Sequence, residues 1–546
     1  MFFTKRIGLS SSFQSINTME SKKTPLRRLQ VLASHLQSPS SSPLPNIRPG
    51  DADANSVDTS FFIKGPFAPR SDEKIIDYNL ISSLVEGNVE TLAELRGSFL
   101  RIGPNPHFDF QDKPYHVFDG DGMIHQLEFH GDGTLTYRNK FIRTEVFQQD
   151  ERRNFSFSIM GEAASVLETG NMAWMQHARG EMGRANTALV SHHGKMLALF
   201  EQDVPYQINP ITLDTMGKSN EFGDFPFTAH PKVCPKTGEM IYFGYVNGRR
   251  APAPSCHYGV VGSDGTILRS FHITVPAPVM MHDIAITSTR SIFFDYNNRY
   301  HSPKEIMAGR AKSMYSVEEN LPARFGVLPR HAESDQDMVW INVPVSVVFH
   351  FLNAWDVGEN EIVVWGCAAT SIDLDNLAGD AARTSGGVMT CWRLDVQTKS
   401  LVEMFTINNP TPNGVNTMET AVDFAQLPAN RIGMPMRYGY AAIFCAGFQV
   451  DGIVKYDLVA RTTLSYRFEK GVFGGESMFV PRGEGGEGGE DDGGEDDGWL
   501  MCFVYGDQRC ESALEVVDAK TMTQVARIAV PIRVPAGFHA CWRPSV

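Results

Sequence analysis

The sequence lacks three features that would assign it to common classes of protein. It has no apolar run of the ~18 residues that a helix needs to cross a bilayer. Its eight cysteines include no C-x-x-C pair, which favours buried thiols in a reducing compartment over disulfides or zinc. Basic residues are outnumbered, 49 Lys and Arg against 63 Asp and Glu, and the net charge of −14 argues against a nucleic-acid partner.

Part of this negative charge comes from one segment. GEGGEGGEDDGGEDDG, at 483–498, carries eight acidic residues and no basic ones. Because such a segment has no apolar surface to bury, it is typical of a solvated, disordered insert. A calcium site is the alternative, although the ordered D-x-D-x-D-G pattern is absent from the segment.

The N-terminal residues differ in composition from the rest and predict an extension, 1–59, ahead of a single domain, 60–546. Residues 1–49 hold ten serines, seven Lys or Arg and one acidic residue, Glu20. This composition is typical of an organellar transit peptide, and a disordered tail fits it equally well. Within it, LRRLQVLASHL (26–36) places its leucines on one helical face, which suits a membrane surface; packing against a partner or a core is the alternative.

From about residue 98 onward, β-strand signals dominate the sequence. Seven segments combine an apolar strand, a tight polar turn and a second apolar strand: 128–141, 206–218, 232–245, 259–273, 392–405, 454–468 and 515–530. Gly, Asp, Asn and Thr at their tips supply the turn chemistry. Repeated two-stranded units at irregular spacing favour an all-β propeller, with a sandwich or a β-helix as alternatives.

Four of the 16 histidines lie in short apolar or small-residue settings: His230, His282, His350 and His539. They are 52, 68 and 189 residues apart, so only a large closed fold could bring them together. A propeller could do so, because its innermost strands converge on one axis. The alternative is that each is an ordinary hydrogen-bonded histidine of the core.

A site with four imidazoles would suit zinc, copper, iron or nickel. Structural zinc usually recruits thiolates, whereas iron(II) accepts six ligands, so four histidines would leave two positions open. A ligating histidine normally donates its second N–H to an acceptor, often a carboxylate. Glu201, Asp423 and Glu476 are candidates for that role, since an unpaired carboxylate among apolar residues would be costly.

Eight further motifs surround these residues: FLRIGPNPHFD (99–109), YHVFDGDGMIH (115–125), ANTALVSHHGKMLALFEQDVPY (185–206), FTAHPKVCPKTGEM (227–240), MMHDIAITSTRSIFFD (280–295), ARFGVLPR (323–330), VFHFLNAWD (348–356) and VPAGFHACW (534–542). Through these motifs the chain resembles the carotenoid cleavage dioxygenase family over roughly residues 60 to 543. The resemblance implies an all-β, seven-bladed β-propeller with a helical and loop cap over its top face.

The resemblance also implies a non-haem Fe(2+), one per subunit, held by the four histidines. Their supporting acids fall by motif position on Glu201, Asp423 and Glu476. At Asp423 many relatives carry Glu, and the local sequence DFAQLP departs from the family pattern, so this position is the weakest of the three matches.

The motifs look most like the plant subgroup that cleaves at the 9,10 and 9′,10′ double bonds. Membership would imply a dioxygenase that uses O2 as co-substrate and cleaves a carotenoid or apocarotenoid into two carbonyl products. A stilbene-cleaving dioxygenase or an isomerase of the same fold is the alternative, followed by a non-enzymatic binding propeller.

A lipophilic polyene substrate implies a dry tunnel, for which Phe118 and Phe349 are candidate lining residues, with ordinary core packing as the alternative. Since such substrates dissolve in membranes, we expect an apolar patch that docks on a membrane surface. The expected location is the plastid or the cytoplasm. No nucleic acid and no obligate protein partner is expected.

Overall fold

The structure is a computed structural model. It describes residues 64, 67–79, 85–88, 92–93, 95–108, 115–156, 183–245, 255–275, 279–301, 305, 308–311, 315–318, 320–371, 387–407, 421–445, 447–482, 494–506, 512–530 and 532–545. The predicted N-terminal extension and residues 483–493 of the predicted acidic insert lie outside the described residues.

Strands make up most of the regular structure of the described residues. In chain order they are β1 (Lys74–Asn79), β2 (Val85–Gly87), β3 (Arg96–Pro104), β4 (Gly122–His130), β5 (Thr134–Phe141), β6 (Ala188–His192), β7 (Lys195–Leu199), β8 (Tyr206–Ile208), β9 (Thr215–Lys218), β10 (Lys232–Val233), β11 (Met240–Tyr245), β12 (Ser255–Val261), β13 (Ile267–Thr274), β14 (Ala285–Ile286), β15 (Arg290–Asp295), β16 (Asn298–Tyr300), β17 (Tyr315–Val317), β18 (Ala323–Pro329), β19 (Val339–Val343), β20 (Val347–Val357), β21 (Glu361–Ala369), β22 (Val388–Asp395), β23 (Ser400–Ile407), β24 (Ala421–Gln426), β25 (Tyr438–Cys445), β26 (Gln449–Asp457), β27 (Thr462–Arg467), β28 (Val472–Gly474), β29 (Met478–Pro481), β30 (Gly498–Gly506), β31 (Ser512–Asp518), β32 (Thr523–Val530) and β33 (Ala540–Pro544). One α-helix, α1 (Glu145–Arg153), and short 3-10 turns at Val117–Asp119, Asn220–Phe222, Asp335–Asp337 and Ala429–Arg431 are also described.

Most of these strands form seven antiparallel units, and β16 and β17 pair in a separate two-stranded sheet. The units are β1 with β3–β5 (unit 1), β6–β9 (unit 2), β10–β13 (unit 3), β14, β15, β18 and β19 (unit 4), β20–β23 (unit 5), β24–β27 (unit 6) and β29–β32 (unit 7). Strand β28 pairs with both β26 and β30, so units 6 and 7 are hydrogen-bonded to each other.

Each end of the chain contributes a strand to the unit at the opposite end. The C-terminal strand β33 pairs with β3 of unit 1, from Arg101↔Ala540 to Gly97↔Pro544. Strand β2, the second strand of the described chain, pairs with β32 of unit 7, with Val85 opposite Ile528. The first and last units are therefore joined by both termini of the described chain.

The hydrophobic core consists of clusters between successive units. Units 1 and 2, 2 and 3, 3 and 4, 4 and 5, 5 and 6, and 6 and 7 each share a cluster of buried side chains. A seventh cluster joins unit 7 back to unit 1, where the rings of Phe99 and Phe503 lie 5.1 Å apart. The seven units therefore close into a ring, which is the predicted seven-bladed β-propeller.

All seven hairpins that the sequence predicts are antiparallel strand pairs in the structure. They are not distributed one to a unit, because 232–245 and 259–273 both belong to unit 3 and none belongs to unit 4. In unit 4 the connection between β18 and β19 runs over residues 330–338 and contains a 3-10 turn. This connection is too long to give the tight-turn pattern that marked the others.

Helix α1 has a capped N-terminus and one buried face. The Oγ1 of Thr144 accepts a hydrogen bond from the backbone N–H of Phe147 at 3.0 Å, and Asn154 ends the helix in the left-handed region. Its buried residues are Val146, Phe147 and Asp150. No helix in the described part of the chain has the length and apolar character needed to cross a membrane.

Residues 494–498 of the segment predicted to be a disordered insert belong to the described structure. Asp496 is only 6% exposed and forms an ion pair with the buried Lys455. The Glu495 carboxylate accepts a hydrogen bond from the backbone N–H of Arg437 at 2.8 Å. The buried Lys455 of β26 and the backbone just before β25 therefore hold carboxylates that the sequence alone placed in solvent.

Candidate metal centre

The fold brings the four predicted histidines, His230, His282, His350 and His539, into one cluster. Each histidine offers one ring nitrogen to the cluster, and these four nitrogens all lie within 4.8 Å of one another. Nε2 of His282 is 3.0 Å from Nε2 of His230 and 3.2 Å from Nε2 of His350. Two nitrogens bound at about 2.1 Å and at a right angle around one ion would be about 3.0 Å apart, so this spacing fits a single metal ion.

Each histidine lies near the start of a strand in a different unit. His230 precedes β10, His282 precedes β14, His350 is the fourth residue of β20 and His539 directly precedes β33. The first strands of units 3, 4 and 5 and the closing strand of unit 1 thus carry the cluster. The strands that carry the histidines all start at the same end of the ring's axis. This explains how residues so distant in sequence converge.

A local irregularity places His350. The pairing of β20 with β21 shifts register between Val348 and Phe351, so His350 lies in a bulge. A bulge turns a side chain out of the regular alternation of a strand. The sequence VVFHF gives no signal of this irregularity.

The three predicted acids lie behind three of the histidines. Asp423 Oδ1 is 2.7 Å from Nδ1 of His350, and Glu476 Oε1 is 3.0 Å from Nδ1 of His539. The Glu201 carboxylate contacts Nδ1 of His282. Each acid can accept a hydrogen bond from the Nδ1–H of its imidazole, which leaves the Nε2 lone pair toward the centre of the cluster.

His230 differs from the other three histidines. No carboxylate among the described residues contacts its ring, and its backbone N–H donates to Oγ1 of Thr228 at 2.9 Å. The ring is held instead by packing against other imidazoles, with centroids 4.5 Å from His282 and 4.6 Å from His539.

The acids are themselves hydrogen-bonded. Glu476 Oε2 accepts from the backbone N–H of Ala540 at 2.6 Å, and Oε1 accepts from Nε2 of Gln426 at 2.7 Å. Glu201 Oε2 accepts from the Tyr245 hydroxyl at 2.5 Å. Asp423 Oδ1 accepts from the backbone N–H of Phe424 at 2.8 Å. These donors fix the carboxylates and therefore the rings that the carboxylates contact.

Burial favours the neutral form of two of the four histidines, His230 and His350. It lowers the pKa of His230 and His350 well below the usual range, and the neighbouring histidines lower both further. Burial also raises the pKa of Asp423 to about 7. The neutral imidazole that burial favours is the form that offers a lone pair to a metal ion.

Aromatic side chains border the cluster. The Phe349 ring lies 4.2 Å from the His282 ring, and the Phe424 ring lies 5.2 Å from His539 and 5.5 Å from His350. Phe118, the other predicted tunnel residue, lies 5.5 Å from Phe538, which precedes His539. Both predicted phenylalanines are thus half-buried near the histidines, and their tunnel role stays a prediction.

Sequence reasoning missed two residues of this site, Phe424 and Asp283. Phe424 is buried and has a φ of 51°, a left-handed conformation that is uncommon for a non-glycine residue and concentrates at functional sites. Asp283 is a buried carboxylate next to His282. Each follows a predicted site residue directly in sequence, and this adjacency was the available signal.

Comparison with known proteins places the chain among proteins of one family. The family profile described as "Retinal pigment epithelial membrane protein" matches residues 92–544. The carotenoid 9,10(9′,10′)-cleavage dioxygenase 1 of Pisum sativum is 37% identical over 511 residues, which cover 88% of this chain and 89% of the relative. The carotenoid 9,10(9′,10′)-cleavage dioxygenase of Crocus sativus is 35% identical over 510 residues, with 88% of both chains covered.

Solved structures give the same fold. A mutant of the apocarotenoid oxygenase of Synechocystis superposes with a TM-score of 0.73 at 22% identity, covering 90% of this chain and 100% of the other. The cobalt-substituted form of the Synechocystis protein gives 0.72 at 23% identity, covering 89% and 99%. This likeness confirms the predicted fold class.

Proposed function

Because the chain belongs to the family of the retinal pigment epithelial membrane protein, which its carotenoid-cleaving relatives share, we propose that it is a non-haem iron dioxygenase. Its proposed reaction is the oxidative cleavage of a conjugated double bond of a carotenoid or apocarotenoid into two carbonyl products. The names of the plant relatives favour the 9,10 and 9′,10′ positions. The cluster of four histidines is the observation that carries the proposal.

The residues of the cluster fit iron(II). Four neutral imidazoles suit a divalent transition metal, and His230, His282, His350 and His539 would be its ligands. One Fe(2+) per subunit would activate O2, the co-substrate, for addition to the double bond. A cobalt-substituted form of the Synechocystis structural neighbour supports a metal site in this fold.

The aromatic residues near the histidines would bind and position the substrate. Phe349 and Phe424 offer an apolar surface beside the imidazoles, where a polyene would displace water. Phe118 and Phe538 would extend this surface beyond His539. Cleavage of a double bond by O2 into two carbonyl groups takes up and releases no proton, so no acid or base of the protein needs to exchange a proton with the substrate.

We also propose that the enzyme collects its substrate at a membrane surface. Because a polyene partitions into lipid, the enzyme must reach the membrane to bind it. The basic amphipathic segment 26–36 would favour docking of the protein on the membrane surface. Some relatives are named as chloroplastic, for example a 9-cis-epoxycarotenoid dioxygenase of Arabidopsis thaliana that is 30% identical. Fusion of residues 1–59 to a fluorescent protein would distinguish a plastid from a cytoplasmic location.

Anaerobic reconstitution with Fe(II), followed by addition of O2, tests the reaction. We would offer β-carotene, an apocarotenal and resveratrol, and identify the carbonyl products by mass spectrometry. Products from a carotenoid or apocarotenoid are expected. Products from resveratrol alone would replace the proposal with stilbene cleavage, and the absence of any carbonyl product would contradict double-bond cleavage.

A histidine variant tests the metal site independently of activity. His350→Ala should lose stoichiometric iron, because it removes a ligand and leaves Asp423 without its imidazole partner. His130→Ala is the matched control, since His130 is exposed on unit 1 and bonds only Thr136 in the described structure. Equal iron content in both variants would contradict the assignment of His350.

A further inference from the structure

One buried carboxylate is bonded to the chain segments that carry three of the four histidines. Asp283, directly after His282, is 3% exposed. Its Oδ1 is 2.7 Å from Nζ of Lys232, two residues after His230. Its Oδ2 accepts a hydrogen bond from the backbone N–H of Phe351, directly after His350, at 2.9 Å.

We propose that Asp283 is a positioning residue that sets the relative placement of His230, His282 and His350. It contacts none of the three imidazoles in the described structure, so it acts through the backbone and Lys232. The inference rests on the proposed function, since it concerns the site that would hold iron.

The topology explains why such a connection is needed. The three histidines belong to units 3, 4 and 5, and short strands or irregular segments carry them: β10 and β14 have two residues each, and His350 lies in a bulge. Hydrogen bonding within one unit therefore fixes little of the distance between ligands. A single carboxylate that bonds to all three units supplies that constraint.

The chemistry of Asp283 suits this task better than a neutral side chain would. The buried N–H of Phe351 needs an acceptor, and so does the backbone N–H of Ile284, which donates to Oδ1 at 2.7 Å. The Lys232 ammonium, partly exposed, neutralises the buried carboxylate. Both oxygens are therefore occupied by donors.

Asp283→Asn is the direct test. The amide has one acceptor oxygen, so its NH2 group must face either the Lys232 ammonium or the Phe351 N–H, and one of the connections is lost. Loss of a residue that supports ligands typically weakens metal affinity about 10- to 100-fold, and we expect a decrease in this range. The measurement is Fe(II) affinity of the full-length protein by competition with a chelator, together with the unfolding temperature.

Asp295→Asn is a matched control in the same unit. Asp295 is fully buried, pairs with Arg324 at 2.9 Å and accepts the backbone N–H of Asn297 at 3.0 Å, as Asp283 does with its own partners. The Asp295→Asn variant should have a lower unfolding temperature than the wild type, as Asp283→Asn should, but an unchanged affinity for iron. An equal loss of affinity in both variants would overturn the inference, because the effect would then be general destabilisation.

Lys232→Met decides the question if Asp283→Asn does not fold. It removes the connection to the His230 segment and leaves both backbone bonds, so a smaller loss of iron affinity is expected. Affinity equal to that of the wild type would overturn the inference. Absence of iron binding by the wild-type protein would contradict the proposed function as well, whereas binding that Asp283→Asn leaves intact would contradict only the role of Asp283.

Discussion

The three carboxylates behind the histidines are held by different numbers of donors. Glu476 accepts from both Gln426 and Ala540, whereas Asp423 accepts only from Phe424, apart from its histidine, among the described residues. Asp423 also has a side chain one methylene shorter than glutamate, yet it reaches His350 at 2.7 Å. Asp423 therefore has fewer other contacts than Glu476 to compensate for its alteration.

Asp423→Asn should weaken iron binding at this position. The amide oxygen can still accept hydrogen bonds from His350 and Phe424. It lacks the negative charge that makes the imidazole a stronger ligand for the metal ion. We expect Fe(II) affinity to fall by about 10-fold, the lower end of the effects seen for such partners. Competition with a chelator measures the Fe(II) affinity. Asp356→Asn is the control, because Asp356 accepts hydrogen bonds from Ser288 and Thr289, away from the cluster.

A histidine outside the cluster should make stability depend on pH. His257 on β12 lies against Phe225 and His272, and burial followed by the proximity of His272 lowers its pKa to about 4. Its ordinary pKa is about 6.5, so the unfolded chain takes up a proton before the folded one. Stability is therefore lost as the pH falls from about 6.5 toward 4.

His257→Gln should reduce this loss. The free energy of unfolding in urea is measured at pH 7 and pH 5 for the wild type and for His257→Gln. Every other titrating group contributes equally to the pH dependence of the two proteins, so the difference between them reports on His257. The wild type should lose more stability than the variant. The same loss in both would show that His257 is protonated equally in the folded and unfolded states.

At the scale of elements, a close approach of two backbones holds the His539 segment. The backbone N–H of Phe538 donates to the Ile102 carbonyl and that of Ile102 donates to the His539 carbonyl, both at 3.0 Å. A Cβ on Gly103 would lie 2.5 Å from Cα of Gly537. Glycine at 103 thus lets β3 approach the segment that carries a candidate ligand.

Gly103→Ala should separate these two segments. Overpacking of this kind costs about 1–3 kcal/mol, and the shift of His539 should also weaken Fe(II) binding. Gly506→Ala is the control, because a Cβ on Gly506, at the end of β30, would meet no other group of the described chain within 4 Å. A Gly103 variant as stable as the control would show that the backbones yield without cost.

At the scale of the whole molecule, closure of the ring determines the site. The ring is closed by the cluster that joins units 7 and 1, by the pairing of β33 with β3 and by the pairing of β2 with β32. His539 and its supporting acid Glu476 belong to opposite sides of this junction, since Glu476 precedes β29 of unit 7. An open ring would therefore lose one ligand while keeping the other three.

Truncation after Ala540 tests this dependence. The shortened chain keeps all four histidines but loses four of the five pairs of β33 with β3. It should unfold at a lower temperature and fail to retain stoichiometric iron. Removal of residues 545–546, which lie beyond β33, is the control, and full iron retention by the longer truncation would show that His539 is placed without the closing strand.

The parts of the fold that could be predicted are those set by short-range patterns. All seven hairpins were found because alternation and turn residues lie within about 16 residues of sequence. No hairpin was predicted in unit 4 because its β18–β19 connection is long and β14, which pairs with β15 across a short turn, has only two residues. The four histidines and three acids were singled out by their apolar settings and then matched by motif position, and the number of blades came from the family resemblance.

The sequence by itself determined the strands, the turns and the identity of the histidines and acids, because these depend on neighbouring residues or on motifs. Only the tertiary structure decided that Asp283 connects three units, that Phe424 borders two histidines, and that Asp496 is buried against Lys455. Each of these contacts joins residues from separate units or distant segments. Their distances are set by closure of the ring, and no local pattern encodes that geometry.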